Sequence, residues 1–216
     1  VVVPNAFPNF LAWIPDAEHI LVYETQTAEA EAYIAEADLC LCLDFNDPKR
    51  IGPLGELVLQ KSCPKILIDH HLYPAEFATI VFSQPEAPAT CALVYQFIAQ
   101  TTQQKKLDLS DVLTTEIATC IYTGMMTDTG NFSFNSNYAE MYQIVGDLVA
   151  AGVNKDAIYN RVFNAYSTDR MRLMGYCLYQ KMKIYPEHHT ALIYLSRKEL
   201  YRFNFQSGDA EGIVNL

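Results

Sequence analysis

Short apolar segments alternate with helical patterns along the first hundred residues, and this alternation is the strongest constraint on the fold. Strands are predicted over 20–23, 39–43, 66–68 and 80–82, and helices over 28–37, 54–60 and 91–99. Alternation of this kind is typical of βαβ units that share a parallel sheet. The segment 39–43 is nearly all apolar, which predicts a strand buried on both faces. The sequence therefore predicts an α/β fold with a mainly parallel sheet flanked by helices.

The second half of the chain is predicted to be helical and then to open a new sheet. Helices are predicted over 112–126, 139–151, 156–166 and 168–181. Ser110 is expected to cap the first of these. Period-two alternation then returns on both sides of a polar turn, which predicts a hairpin. We therefore predict one domain over 1–181, followed over 182–216 by a linker and the beginning of a second α/β domain that is too short to fold alone.

Carboxylates and histidines follow predicted strands at the points where these strands end. Asp44 comes directly after one buried strand, and Asp69, His70 and His71 close another; Asp128 lies just past the long apolar helix. Ligands bind at the carboxyl edge of open α/β sheets. Carboxylates suit Mg²⁺ and Mn²⁺, and imidazole favours Mn²⁺. The pattern indicates a hydrolytic metal site in which Asp44 is the best candidate to bridge two ions.

Each of these residues also has an ordinary structural interpretation. An Asp after a strand is often a helix cap or a turn former, which applies to Asp44, and Asp128 can form an Asx turn before Gly130. The pair His188-His189 lies in a polar turn and is expected to be surface decoration. Taken singly, the structural interpretation is favoured for each residue. Taken together, the strand-end positions favour a metal site.

Composition narrows the classes of partner and compartment. A net charge of −10 argues against an extended grip on duplex nucleic acid. Apolar runs stay shorter than the roughly 18 residues that cross a bilayer, so no membrane partner is expected. The six cysteines show no metal-binding spacing. We interpret them as reduced thiols in the core, which predicts a cytoplasmic protein.

The combination of these motifs resembles the DHH phosphoesterase superfamily. The resemblance lies in Asp69-His70-His71 after a strand, in the earlier strand-end Asp44, and in the segment Asp-Thr-Gly-Asn-Phe-Ser-Phe over 128–134. The last segment and the helices after it look most like the bacterial oligoribonuclease and PAP phosphatase (nanoRNase) group, where PAP is 3′-phosphoadenosine 5′-phosphate.

The resemblance implies a role for each site residue. Two Mn²⁺ ions are implied, with Mg²⁺ as an alternative, and Asp44 would bridge them. His70 and Asp128 would complete the shell of one ion. His71 would face the substrate phosphate, and Asp69 would orient a histidine through its other ring nitrogen. Arg50, in the loop after Asp44, is a candidate substrate contact, with a solvated loop charge as the alternative.

The chain also departs from the family pattern. The family carries an earlier His-x-x-Pro-Asp-x-Asp motif, which supplies one His and two Asp ligands, and Val1–Val3 matches the strand that follows it. Residues 207–216 resemble the entry into the family's C-terminal substrate domain. We therefore expect a chain truncated at both ends, holding at most half of the metal site and poorly active by itself.

Four functions stay open at this level. The resemblance favours a manganese phosphoesterase that hydrolyses short oligoribonucleotides, PAP or both by a two-metal mechanism. Within the superfamily, a cyclic-dinucleotide phosphodiesterase and an inorganic pyrophosphatase are alternatives, although the late helices show no convergence of basic residues for a pyrophosphate. The fourth is a non-catalytic nucleotide-binding or dimerisation module, which the missing first motif favours. The helices at 139–151 and 168–181 have broad apolar faces that are expected to be mostly core but allow a homodimer contact.

Overall fold

The described residues of the chain form two compact units. The computed structural model describes residues 1–137, 139–164, 166–206, 208–210 and 213. One unit contains Val1–Asn5 and Ile14–Tyr159, and the other contains Ala6–Trp13 and Asn160–Leu216. The domain boundary expected at 181/182 stays a prediction; the second compact unit already starts at Asn160. The expected similarity of 207–216 to a substrate domain falls mostly outside the described residues.

The described strands of the first unit form two parallel sheets. Strands β1 (Val2–Val3) and β2 (Leu21–Val22) pair with each other. Strands β3 (Cys40–Leu43), β4 (Lys65–Asp69) and β5 (Ile80–Ser83) form a three-stranded sheet with β4 in the middle. All of these pairings are parallel, so the predicted parallel α/β architecture is confirmed.

Helices connect and follow these strands in the order that the sequence predicted. The first unit contains α1 (Thr27–Glu36), α2 (Pro53–Gln60), α3 (Thr90–Gln104), α4 (Leu109–Val112), α5 (Thr115–Asp128) and α6 (Ala139–Ala150). Then come α7 (Lys155–Phe163), α8 (Thr168–Tyr176), the hairpin β6 (Lys183–Tyr185) and β7 (Thr190–Leu192), and α9 (Arg197–Arg202). Among the described residues, no helix is both long and apolar enough to cross a membrane.

Strand β4 is the centre of the core because both of its faces are covered. Leu67 packs with Cys42 of β3 and Val58 of α2 on one face. Ile68 points to the opposite face, as the period of a strand requires, and packs with Leu93 of α3. Leu67 and Leu93 are fully buried. Burial of each such side chain contributes about 1.5–3 kcal/mol to stability, so this packing fixes β4 between the two helices.

The prediction that 39–43 is buried on both faces is wrong. Only Cys42 is buried, whereas Leu41 is 53% exposed and Leu43 is 44% exposed. The reason is topological. Within the part of the chain that the structure describes, β3 pairs only with β4, and α3 covers the face of the sheet over β4 rather than over β3. A nearly continuous apolar run therefore occurs here in a strand with one covered face.

Several helix boundaries also differ from the sequence prediction. Ser110 does not cap the long helix; Asp108 caps α4 by accepting from the Ser110 amide, and Thr114 caps α5. Helix α3 starts at Thr90, and Ala89 stands at its N-cap position without a side-chain hydrogen bond. The helix predicted over 112–126 thus begins at Thr115 and ends at Asp128, because Thr114 caps it, and the separate short helix α4 ends at Val112.

The second unit is held partly by one acidic side chain. Glu199 of α9 accepts hydrogen bonds from Lys181 at 2.8 Å and from Tyr176 at 2.6 Å. It also closes a capping box with Ser196. The helix predicted over 168–181 ends as an α-helix at Tyr176 and continues as one π-helical turn to Lys181. This turn carries Lys181, the partner of Glu199. The predicted hairpin is confirmed.

Gly55 packs against the Pro48 backbone and leaves no space for a side chain. This close contact gives the first prediction. A Cβ on Gly55 would stand 2.0 Å from the Pro48 carbonyl oxygen. The Gly55→Ala variant should therefore lose about 1–3 kcal/mol of unfolding free energy, measured by urea denaturation, because backbone must move. Gly146→Ala is the control, since a Cβ there meets nothing within 4 Å in a helix. It should gain about 0.5–1 kcal/mol. Equal stability of both variants would contradict this packing.

The second prediction concerns pH. The hydrogen bond from Lys181, followed by those from Tyr176 and Ser196, lowers the pKa of Glu199 below its ordinary value of 4.5. A carboxylate whose pKa is lowered on folding stabilises the protein above its unfolded pKa, and this contribution is lost as the pH falls through and below that value. Glu199→Gln should therefore lower the melting temperature at pH 7 and should weaken the further drop between pH 5 and pH 3. Glu187→Gln is the control, because the Glu187 side chain is exposed. If Glu199→Gln melts like the wild type at every pH, Glu199 does not stabilise the fold in this way.

Candidate metal centre

The register between β3 and β4 brings the first site residues together. Leu43 pairs with Ile68, and the Asp44 amide continues the ladder by donating to the Ile68 carbonyl at 3.1 Å. Asp44 then turns out of the sheet with a positive φ of 65°, a conformation that Asp tolerates better than most residues. Asp44 and His70 therefore end neighbouring strands at one edge.

The histidine His70 lies between two carboxylates. Its Nε2 is 3.8 Å from an Asp44 oxygen and 3.4 Å from an Asp128 oxygen. Its Nδ1 is 3.1 Å from the Ala87 carbonyl oxygen, which can only accept. That contact places the ring proton on Nδ1 and leaves the Nε2 lone pair facing the carboxylates, the arrangement found in metal-binding histidines.

The histidine His71 is held by the buried carboxylate before it. Asp69 is fully buried at the end of β4, and its Oδ1 accepts from His71 Nδ1 at 2.7 Å. Its Oδ2 accepts from the His71 backbone amide at 3.0 Å. The His71 Nδ1 also lies 3.9 Å from Asp44 Oδ1, so Asp44, His70 and His71 form one cluster of ligand atoms. Because Asp69 occupies Nδ1, the free nitrogen of His71 is Nε2.

Asp128 reaches the site from a helix rather than from a loop. It is the last residue of α5, and among the described ion-pair contacts it joins the cluster through His70. Helices α3 and α5 approach closely, since a Cβ on Gly124 would stand 2.1 Å from Cys91 Sγ. Burial raises the pKa of Asp128, while His70 opposes the rise. Burial, and then the charges of Asp44 and Asp128, raise the pKa of Cys91 to about 12, which keeps this thiol neutral beside them.

A cavity of about 360 Å³ opens beside these carboxylates. It is lined by Leu43, Asp44, Ala89, Thr90, Cys91, Val94, Gly124, Thr127 and Asp128. Its walls thus come from the end of β3, from the first turns of α3 and from the last turns of α5. This volume is at the lower end of the range of small-molecule sites and is sufficient for a phosphate and part of its substituent.

Two contacts that sequence reasoning missed hold this edge in place. The Thr90 hydroxyl donates to Asp44 Oδ1 at 2.7 Å, so it orients the carboxylate instead of capping its helix. The Asn46 side chain donates to the Leu72 carbonyl at 2.6 Å, and the Asn46 carbonyl accepts from Ala75. Asn46 therefore ties the loop after Asp44 to the loop after His71. Neither contact has a local signal, because the partners lie at least 26 positions apart.

Arg50 stands apart from the cluster in the described contacts. It belongs to a 3₁₀ turn over Pro48–Ile51, and its guanidinium donates to Asn46 Oδ1 at 3.3 Å. The described ion pairs of Asp44 involve the two histidines. The expectation of a substrate contact for Arg50 stays a prediction, and the contact that the structure provides supports the loop.

The donor atoms of the cluster fit a divalent ion. Ligand atoms that share one ion lie about 3–4 Å apart, because metal bonds to imidazole nitrogen or carboxylate oxygen measure roughly 2.0–2.2 Å. His70 Nε2 lies at such distances from Asp44 and from Asp128. The set of one nitrogen and two carboxylates is the mixed type that Mn²⁺ accepts.

Comparison with known proteins finds a matching family and several relatives. Residues 5–125 match the model of the DHH family, N-terminal domain. The chain is 27% identical over 177 residues to a bifunctional oligoribonuclease and PAP phosphatase NrnA of Thermus thermophilus, and 20% identical over 209 residues to the protein of that name from Bacillus subtilis. These alignments cover 79% and 95% of this chain, and 46% and 61% of the relatives.

A solved structure extends the similarity to the whole chain. It is the crystal structure of an exopolyphosphatase-related protein from Bacteroides fragilis, 45% identical in sequence, with a TM-score of 0.90. The match covers 100% of this chain and 62% of that protein. The chain thus spans between about half and three fifths of the length of the relatives it matches.

Thr90 provides a test of how the centre is organised. The Thr90→Val variant keeps the side-chain shape but loses the bond to Asp44. We expect it to weaken Mn²⁺ binding about 10–100-fold, the usual effect of losing a group that orients a ligand, measured by titration calorimetry. Thr102→Val is the matched control, because this buried threonine of the same helix donates to its own helix at Ile98. The interpretation fails if both variants bind Mn²⁺ as the wild type does.

Proposed function

Because the chain belongs to the DHH family, we propose that it forms the catalytic part of a metal-dependent phosphoesterase. The proposed reaction is the hydrolysis of short oligoribonucleotides, of PAP, or of both. One observation carries this proposal: Asp44, His70, His71 and Asp128 converge at one sheet edge beside a cavity that can admit a phosphate group.

The ligand roles are proposed from the donor atoms. Asp44 would bridge two ions, since its side chain is 62% exposed at the sheet edge and one of its oxygens lies 3.8 Å from His70 Nε2. His70 would bind one ion through Nε2, and Asp128 would complete its shell. Mn²⁺ is the proposed ion, with Mg²⁺ as the alternative. Ions bound there would supply Lewis acidity to the phosphate and would lower the pKa of the attacking water.

Side chains of the protein would position the substrate and stabilise the negative charge that develops during the reaction. His71, fixed through Nδ1 by Asp69, would present Nε2 to the phosphate or to the leaving oxygen. If protonated, it would stabilise developing negative charge and could donate its proton to that oxygen. Asp69 would keep the ring in one orientation, as carboxylates do for histidines in metal and acid–base sites. Thr90 would hold the bridging carboxylate still.

The charge of the chain supports a small substrate. With a net charge of −10, the chain lacks the excess of cations that tracks a long nucleic acid backbone. A terminal phosphate bound at a metal centre needs no such groove, because the ions supply the positive charge locally. Two relatives carry the name oligoribonuclease and PAP phosphatase, which favours these substrates over a cyclic dinucleotide.

The name of the Bacteroides fragilis protein, exopolyphosphatase-related, supports a second candidate: hydrolysis of a phosphoanhydride such as pyrophosphate or polyphosphate. The same centre would serve both reactions, because each breaks a P–O bond at a terminal phosphate. A non-catalytic nucleotide-binding module is a further alternative.

Two further proposals concern the cellular location and the oligomeric state of the protein. A cytoplasmic location is proposed because the cysteines are free thiols. A homodimer is proposed because exposed apolar residues such as Tyr142 of α6 and Met171 of α8 remain on the helix surfaces.

A parallel assay tests the proposed function. The assay uses the full-length protein, because this chain by itself is expected to be poorly active. With Mn²⁺ present, the protein is offered a 5′-phosphorylated diribonucleotide, PAP, a cyclic diribonucleotide and pyrophosphate, and product is measured for each. We expect turnover of the diribonucleotide or PAP, abolished by chelation. Asp44→Asn should reduce it by at least about a hundredfold, because a ligand is lost.

His188→Asn is the matched control, since this histidine is 74% exposed in the hairpin turn. It should retain wild-type rates. Faster hydrolysis of pyrophosphate would favour the phosphoanhydride reaction. Mn²⁺ and nucleotide binding without turnover of any of the four compounds would refute the enzyme in favour of a binding module.

A further inference from the structure

Two cysteines of the first unit lie with their sulfur atoms in contact. Cys40 is the first residue of β3, and Cys63 lies in the loop between α2 and β4. Their Sγ atoms are 3.4 Å apart, and both residues are free and partly buried. A disulfide requires about 2.05 Å between the sulfurs, so closure needs a movement of only about 1.4 Å.

The loop that carries Cys63 can supply this movement. The parallel ladder begins at Cys40 and Lys65, so Cys63 precedes the paired residues of β4. Its carbonyl accepts from the Lys65 ammonium at 3.3 Å, a longer bond than the 2.5 Å bond from the same ammonium to Lys61. Backbone pairing does fix Cys40, whose amide donates to Pro64 at 3.0 Å. This bond ties Cys40 to the residue after Cys63 and so holds the two thiols close together, while Cys63 itself lies outside the strand ladder.

The pair lies at the opposite end of the strand from the metal centre. Cys40 starts β3 and Asp44 follows its last residue, a separation of about 13 Å along a strand. The pair therefore belongs to the amino edge of the sheet, and no part of the proposed phosphoesterase reaction uses it. Cys42, on the same face of β3, is buried in the core and packs against Val58 and Leu67.

We propose that Cys40 and Cys63 form a reversible disulfide when the protein meets a peroxide. Cys63 reacts first: its sulfur takes one oxygen from the peroxide to give a sulfenic acid, and water leaves. The Cys40 sulfur then attacks the Cys63 sulfur, the S–S bond forms, and the sulfenic oxygen leaves as a second water with the proton of Cys40. Two thiols lose two electrons to one hydrogen peroxide, and a dithiol reductant reverses the step.

The order of the two thiols follows from their surroundings. Burial, and then the hydrogen bond with Cys63, raises the pKa of the Cys40 thiol, which disfavours Cys40 as the first nucleophile. Cys40 is instead placed to resolve a sulfenic acid on Cys63, because its sulfur is already in contact. The disulfide would close the segment 41–62 into a loop, tying the start of β3 to the start of β4.

Mass spectrometry of the native protein tests the proposal. The protein is treated with a small excess of hydrogen peroxide, denatured and alkylated with iodoacetamide. We expect two of the six cysteines to escape alkylation, to be linked as the Cys40–Cys63 peptide pair, and to become alkylable after dithiothreitol. The oxidised form should melt about 5–10 °C higher, because the cross-link restricts the unfolded chain.

Variants separate the two steps. Cys40→Ser should accumulate a sulfenic acid on Cys63 that dimedone labels, and Cys63→Ser should leave Cys40 unoxidised under the same conditions. Cys120→Ser, which removes a partly buried thiol of α5, is the control and should still form the disulfide. Linkage of Cys40 to Cys42, oxidation of other thiols first, or direct conversion to sulfinic acid without a cross-link would overturn the proposal.

Discussion

The parallel pairing of β3 with β4 is the constraint on which the site depends. With Leu43 opposite Ile68, the residues that follow both strands emerge side by side at one edge of the sheet. A shift of one residue would turn the fully buried Leu67 and Ile68 to the wrong faces and would move Asp44 away from His70. The same hydrophobic contacts that stabilise the sheet therefore also set the distances between the ligand atoms.

Around this edge, hydrogen bonds to neighbouring groups restrict the rotamers of the site side chains. Asp69 is buried and fixes His71, the Ala87 carbonyl fixes His70, and the Thr90 hydroxyl fixes Asp44. Each of these bonds restricts a side chain that would otherwise sample several rotamers in solvent. A site held in this way is organised for its ligand before the ligand binds, which reduces the entropy that binding must overcome.

Most of the fold of the first unit could be predicted because its elements carry strong local signals. The strand positions and the parallel pairing follow from short apolar runs, and in the second unit the hairpin at residues 183–192 follows from turn residues and period-two alternation. The predictions failed where burial depends on distant residues and where neighbouring residues compete to cap a helix. The exposed faces of Leu41 and Leu43 result from the absence of a covering helix over β3 in the described fold. The break between α4 and α5 depends on the competition between Asp108 and Thr114 as caps.

The sequence by itself determined the residue types at the site and placed most of them at strand ends. This was possible because strands can be recognised from short stretches of sequence, and ligands bind at the carboxyl ends of strands in parallel sheets. The sequence also indicated Asp44, His70, His71 and Asp128 as one set. Only the tertiary structure decided how close their atoms lie and which nitrogen of each histidine is free. The same holds for the contact between Thr90 and Asp44, because these distances depend on the packing of elements that are far apart in the chain.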